Sequence, residues 1–212
     1  MPTSRMAVID HLVYAVPALD QAIEHFESVT GVRPAFGGAH TGLGTHNALV
    51  SFGDNYLELI APDPDQPDPA GPRPFGIDDL YGPALVTFAI RPDTDETIDE
   101  LVLKAKRAGF DPGEIVPMSR RQPNGKELRW RLTFPKLEMG GAVPFIIDWG
   151  RTALPATTAP GGVDLVNFRV LDPNPPALRK AHDALNYTME IGNASQPSLG
   201  ASVKGPRGSL EL

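Results

Sequence analysis

The chain has 212 residues, enough for one large domain or two small ones with a buried core. Its formal charge of −7 and isoelectric point near 5.2, with no basic cluster larger than Ser119-Arg120-Arg121 or Arg129-Trp130-Arg131, argue against a nucleic acid partner, which would require a basic face. Cysteine is absent, so disulfides, thiolate metal sites and a cysteine nucleophile are excluded.

The residues from Met1 to Met6 run straight into a strand-like segment, without the apolar core and small-residue cleavage site of a signal peptide. No apolar run approaches the roughly 20 residues of a membrane helix. The expectation is a cytoplasmic protein with no membrane partner.

Val8 to Val16 is rich in β-branched and aromatic residues, carries His11, and is closed by Pro17, which reads as a buried strand. Leu19, Ala22, Ile23 and Phe26 then fall at helical spacing, with Val29 extending the stripe and Gly31 as the stop. His25 lies off that stripe and reads as solvated. A glycine-rich block with His40 leads into His46 to Phe52 and Tyr56 to Ile60, two strand-like runs split by Gly53-Asp54-Asn55, which predicts a hairpin. The first third is therefore β-α-β-β-β.

Residues 63–82, punctuated by Pro, Asp and Gly at the start, read as a linker. The order then restarts. Ala84 to Ile90 is strand-like, Asp93 and Glu96 are spaced as a capping box, and Ile98, Leu101, Val102, Ala105 and Ala108 form a helical stripe stopped by Gly109. Three extended runs follow, at 114–117, 128–134 and 143–149, with a turn at Pro123-Asn124-Gly125 between two of them. A third start follows the loop 152–162: a strand from Val163, a helix opening at Pro175-Pro176 and capped by Asn186, and three closing strands. The expected organisation is a module over 1–62, a linker over 63–82, a module over 83–151 and a partial module over 163–212.

Familiar catalytic signatures are missing. Gly42-Leu43-Gly44 lacks a third glycine and leads into a strand, and neither a Walker sequence, a nucleophile elbow nor His-Glu-x-x-His occurs.

Ile9-Asp10-His11-Leu12-Val13-Tyr14-Ala15-Val16, the helix ending at Thr30-Gly31-Val32, Gly44-Thr45-His46-Asn47-Ala48-Leu49 and Tyr56-Leu57-Glu58-Leu59-Ile60-Ala61-Pro62 resemble a glyoxalase-like domain of the vicinal-oxygen-chelate superfamily. Pro144-Phe145-Ile146-Ile147-Asp148-Trp149 and Ala159-Pro160-Gly161-Gly162 resemble later parts of the same pattern. The resemblance implies an α+β fold of repeated β-α-β-β-β modules, two full and one partial, whose curled mixed sheets surround a cavity. It also implies a small-molecule ligand. Modules of this type pair within a chain or between chains, so a homodimer is compatible with it.

Metal-dependent members bind a divalent ion with residues of the first and last strands of paired modules. Carried over, these positions fall on His11, Glu58 and Asp148 as metal ligands. The fourth falls on Leu85 or Val86, neither of which can coordinate. A His with two carboxylates suits Mn²⁺, Fe²⁺, Ni²⁺ or Zn²⁺ with open positions for substrate oxygens. The activity implied is that of a lyase, isomerase or dioxygenase, with Glu58 and His46 as catalytic groups and His40 as a further candidate. The alternative is a metal-free protein that binds or sequesters a small molecule.

Each residue also has a plainer reading: His11 as a satisfied core histidine, Glu58 and Asp148 as solvent-facing members of alternating strands, His46 as a loop hydrogen-bonder. Trp130 and Trp149 read as wall or core residues, Arg129 and Arg131 as a solvated pair, and His182 as helix packing.

Overall fold

The opening apolar run forms strand β1 (Val8–Ala15), and the stripe after it forms helix α1 (Leu19–Thr30). The helix buries Leu19, Ile23 and Phe26, and ends where Gly31 adopts φ +82° and donates its N–H to the Glu27 carbonyl. Strands β2 (Ala35–His40), β3 (Thr45–Ser51) and β4 (Tyr56–Pro62) follow, the last two joined by the expected hairpin, in which the Phe52 N–H meets the Asn55 carbonyl at 2.8 Å. The order recurs in β5 (Ala84–Arg91), α2 (Ile98–Arg107), β6 (Ile115–Arg121), β7 (Glu127–Thr133) and β8 (Phe145–Asp148). It recurs again in β9 (Asp164–Asp172), α3 (Pro175–Ala184), β10 (Ile191–Asn193), β11 (Ser198–Lys204) and β12 (Ser209–Glu211). This computed structural model describes residues 6–93, 95–122, 125, 127–134 and 141–212, so most of the expected turn at 123–125 lies outside the described residues.

The helix α2 corrects one expectation. Its capping box is Thr97 with Glu100, whose carboxylate accepts from the Thr97 N–H at 2.8 Å. Thr97 directly precedes Ile98, the first buried residue of the stripe, whereas the Glu96 N–H meets the Asp93 carbonyl at 2.9 Å in a turn before it and the Glu96 carboxylate pairs with Lys104.

The first two sets of strands close one mixed barrel, in the order β1-β4-β3-β2-β6-β7-β8-β5. Each set contributes a half with one parallel pair, β1 with β4 and β5 with β8, and the halves join through antiparallel β1–β5 and β2–β6 contacts. Strand alternation therefore divides the apolar residues into two cores. Leu12, Leu57, Leu59, Phe88, Ile90 and Ile146 face outward, towards the helices and the second sheet. Val13, Tyr56, Ile60, Leu132, Phe145 and Ile147 face inward.

The third set repeats the element order but not the pairing. Its four-stranded sheet runs β10-β9-β11-β12, with β9 parallel to β10. It covers the outside of β5, where Phe88 meets Phe168 edge-on at 5.1 Å between ring centres, and Tyr187 at 5.8 Å. His182 is buried here, with Nε2 2.9 Å from the Ala142 carbonyl, in line with the packing role expected of it.

Residues 63–82 hold a short 3-10 helix over Pro74–Asp79, in which Phe75 and Gly76 have φ of 62° and 69°. Arg73 ties this stretch to the barrel through the Gly44 carbonyl at 2.9 Å, and pairs with Asp68 and Asp78 at 2.7 Å each. Phe75 thereby stacks on Phe145, 5.5 Å between centres.

Candidate functional site

The barrel interior is not filled. About 550 Å³ of empty space, its mouth included, lies among the inward side chains of β1, β2, β3, β4, β6, β7 and β8, with Pro74 and Phe75 contributing from the 63–82 stretch. Trp130, Trp149, Leu132, Phe145 and Ile147 make most of the wall apolar. The polar groups, His11, His40, Asn47, Tyr56, Glu58 and Arg120, gather on one side, and all of them are buried.

His11 shares the inward face of β1 with Val13, and a local irregularity brings Asp10 to the same face. The β1–β5 register shifts between Ile9 and His11, so Asp10 is an extra residue in the ladder. Such a bulge lets consecutive side chains share a face. Asp10 Oδ1 lies 2.7 Å from His11 Nδ1, and its carboxylate also accepts from Trp149 Nε1 at 3.2 Å and from Arg91 at 3.3 Å. With its oxygens taken by donors, Asp10 assigns the proton of the 2.7 Å contact to His11 Nδ1, and Nε2 faces the cavity. The ring stacks on Tyr56 at 4.6 Å and meets the edge of Phe145 at 5.5 Å. Burial raises the Tyr56 hydroxyl well above its ordinary range, with the Asp10 and Glu58 charges adding to the effect, so it stays protonated.

Glu58 stands opposite. Its Oε2 is 3.6 Å from His11 Nε2 and its Oε1 is 3.7 Å from His40 Nε2. Asn47 organises this side. Its amide nitrogen donates to Glu58 Oε1 and lies 3.2 Å from His40 Nε2, while its oxygen accepts from the Arg120 guanidinium. The arrangement makes His40 Nε2 an acceptor and leaves Nδ1 to donate to Thr45 Oγ1 at 3.0 Å. Burial accordingly pushes His40 down to about 4; the nearby Glu58 opposes this and Arg120 assists it, so the ring is neutral at pH 7.

The expected site residues separate into two groups. His11 and Glu58 come together in the cavity. Asp148 does not join them: on β8, Phe145 and Ile147 face inward, and Asp148 pairs with Arg131 at 2.8 Å on the barrel's other side. His46 also faces away. On β3 it is Asn47 and Leu49 that line the cavity, and His46 lies beside Phe36, with Nδ1 3.6 Å from Asp63. Arg129 pairs with Glu127, and Arg131 with Asp99 as well as Asp148. Trp130 and Trp149 are cavity walls.

Sequence reasoning missed Asp10, Asn47 as the organiser, and Arg120, and it placed His40 only as a secondary candidate.

These positions test the expected metal centre. Asp148 is committed to Arg131, and the first strand of the second half offers Val86, packed on the inner core, where a fourth ligand would be required. His40, the other histidine near Glu58, has its Nε2 lone pair facing the Asn47 amide. Among the described residues no three His, Asp or Glu side chains form a group that could hold a metal ion. The donor set does not fit the His and two carboxylates expected of a divalent centre. No helix of the described residues is long and apolar enough to cross a membrane.

Comparison with solved structures gives a hypothetical protein from Staphylococcus aureus at a TM-score of 0.60, with 16% identity, covering 96% of this chain and 84% of that one. Methylmalonyl-CoA epimerase from Mycobacterium tuberculosis matches at 0.44 with 21% identity, covering 69% of this chain and 90% of that one. A variant of the Streptomyces coelicolor methylmalonyl-CoA epimerase, in complex with 2-nitronate-propionyl-CoA, matches at 0.47 with 18% identity, covering 70% and 98%. At 16% identity the first of these likenesses is one of fold. No curated protein matches the chain. The model of the glyoxalase-like domain matches residues 9–185, which takes in the whole barrel and α3. The chain belongs to the glyoxalase-like domain family, within the vicinal-oxygen-chelate superfamily.

Proposed function

We propose that the protein binds an apolar small molecule carrying a carbonyl group and transfers a proton at the adjacent carbon, as an isomerase or lyase whose working groups are Glu58 and His11 rather than a metal. The observation that carries this reading is the line Asp10–His11–Glu58: 2.7 Å from carboxylate to Nδ1, then 3.6 Å from Nε2 to the second carboxylate, buried at the polar side of an apolar cavity.

In this account Glu58 takes a proton from the substrate carbon, and the electron pair moves onto the carbonyl oxygen as an enolate. His11 Nε2 receives that proton from Glu58, and Asp10 stabilises the imidazolium through Nδ1–H. Return of the proton to either face or to a neighbouring atom completes an isomerisation. Expulsion of a leaving group from the enolate completes an elimination. Asn47, itself fixed by His40, holds Glu58 in place, and the tryptophans and phenylalanines keep water from the enolate.

The test is loss of the proton NMR signal at the acidic carbon of enolisable ketones and oxo acids with aromatic or branched tails, in D₂O. Wild type should exchange at least one member of the panel on the order of 10²-fold faster than buffer, with Glu58→Gln at background. Exchange that survives Glu58→Gln would overturn the reading. Tight binding with no exchange by wild type would leave the sequestering function instead.

A further inference from the structure

Arg120 has no task in that proton transfer, and its surroundings are unusual for a buried cation. It is 3% exposed, and among the described residues no carboxylate lies within ion-pair distance. Among the described residues its guanidinium hydrogen-bonds to the neutral oxygen of Asn47, and Nε is buried with no partner there. A buried charge left this way is destabilising unless something compensates it. Glu58, across the Asn47 amide, attracts it only from a distance.

The fold has also made room for it. A Cβ on Gly37 would overlap the Arg120 terminal nitrogen and Asn47 Oδ1, so β2 carries the one residue type that leaves the guanidinium where it is. Arg120 lines the main cavity and, with Leu49, a second one bounded by Phe36, Gln122, Leu128, Pro155 and Thr158. It is a partition with a hydrogen-bonding edge unspent.

We infer that Arg120 is the anion subsite of the cavity and that the ligand is an organic carboxylate, its carboxylate on the Arg120 guanidinium and its apolar tail among the tryptophans. This rests on the proposed function and narrows its substrate to oxo acids. Asn47 contacts Glu58 with one end of its amide and Arg120 with the other, so base and cation stand one side-chain amide apart. That separation suits a molecule whose carboxylate and acidic carbon are both attached to the same carbonyl. A planar guanidinium offers the carboxylate two parallel donors, which a point charge could not.

The experiment uses phenylpyruvate and phenylacetone, which differ by a carboxylate in place of a methyl group. Calorimetry on wild type should give at least roughly tenfold tighter binding of the acid, and the acid-to-ketone ratio should fall to near one in Arg120→Met. Gly37→Ala keeps the charge but crowds it, and should lower the same ratio several-fold, so the inference does not depend on Arg120→Met folding. Equal binding of acid and ketone by wild type, or a ratio unchanged in Gly37→Ala and Arg120→Met, would overturn the anion subsite. Proton exchange is read separately: exchange without acid preference would remove Arg120 and keep Glu58. Acid preference without exchange would keep Arg120 and remove the proposed catalysis.

Discussion

Asp10 and His11 are neighbours in sequence, yet their side chains share a face of β1 and meet at 2.7 Å. Regular strand geometry would send them to opposite sides, and the register shift at Asp10 is what prevents this. A carboxylate 1% exposed thus becomes the orienting partner of the cavity histidine, and Arg91 and Trp149 from the second half of the barrel hold it there.

Replacing Asp10 by Asn presents an amide N–H to Nδ1 and moves the imidazole proton to Nε2, where His11 can no longer receive one. Proton exchange should fall on the order of 10²-fold or more. Thermal unfolding should record a loss of about 1–3 kcal/mol, since Arg91 loses its charged acceptor. Unchanged exchange in a folded variant would deny Asp10 this role.

His40 sets a pH dependence of stability. Its folded-state value, about 4, lies below the ordinary 6.5, so between those values the unfolded chain binds a proton that the folded chain refuses. Stability is therefore full above about pH 6.5, falls as the pH drops and levels off below 4, a loss of about 3 kcal/mol from this group. His182, also lowered by burial, acts in the same direction. Urea unfolding at pH 7 and 4.5 should give a smaller fall for His40→Gln than for wild type; equal falls would contradict the assignment.

Asp148 offers a contrast with the cavity carboxylate. Its pair with Arg131 is partly exposed, so Asp148→Ala should cost roughly 1 kcal/mol or less and leave exchange within about twofold of wild type. An effect approaching that of Glu58→Gln would bring Asp148 back into the site.

Phe75 closes the wall from the 63–82 stretch. Phe75→Ala removes a half-buried ring stacked on Phe145, with an expected cost of about 1–2 kcal/mol. Stopped-flow measurement should find phenylpyruvate leaving faster than from wild type. An unchanged dissociation rate would mean that this ring does not retain the ligand.

The barrel elements were legible because their signals are local. The stripe Leu19-Ile23-Phe26 with Gly31, the hairpin at Gly53-Asp54-Asn55 and the restart at Ala84 all fell where periodicity and turn residues put them. Glu58 was legible as well, as a carboxylate in the midst of an apolar strand. What sequence could not supply was facing. Phe145-Ile146-Ile147 is buried on both sides, so no alternation reveals that Asp148 points out. In Thr45 to Ser51 the run Asn47 to Ser51 is buried without alternation, which hides that Asn47, not His46, points in. Arg120 looked like part of a basic surface cluster, and only closure of β2 against β6 buries it. The third element set carried the right order, but pairing of β9 with β10 depends on long-range contacts that no local pattern encodes.

If Glu58 removes the substrate proton without a metal ion, exchange is independent of metal supply. The most direct measurement is the exchange rate of wild type in excess chelator, and again with Mn²⁺, Fe²⁺, Ni²⁺ or Zn²⁺ supplied. Metal-free proton removal gives one rate under all these conditions, and background for Glu58→Gln throughout. A rate that collapses in chelator and returns with one ion per chain would contradict it.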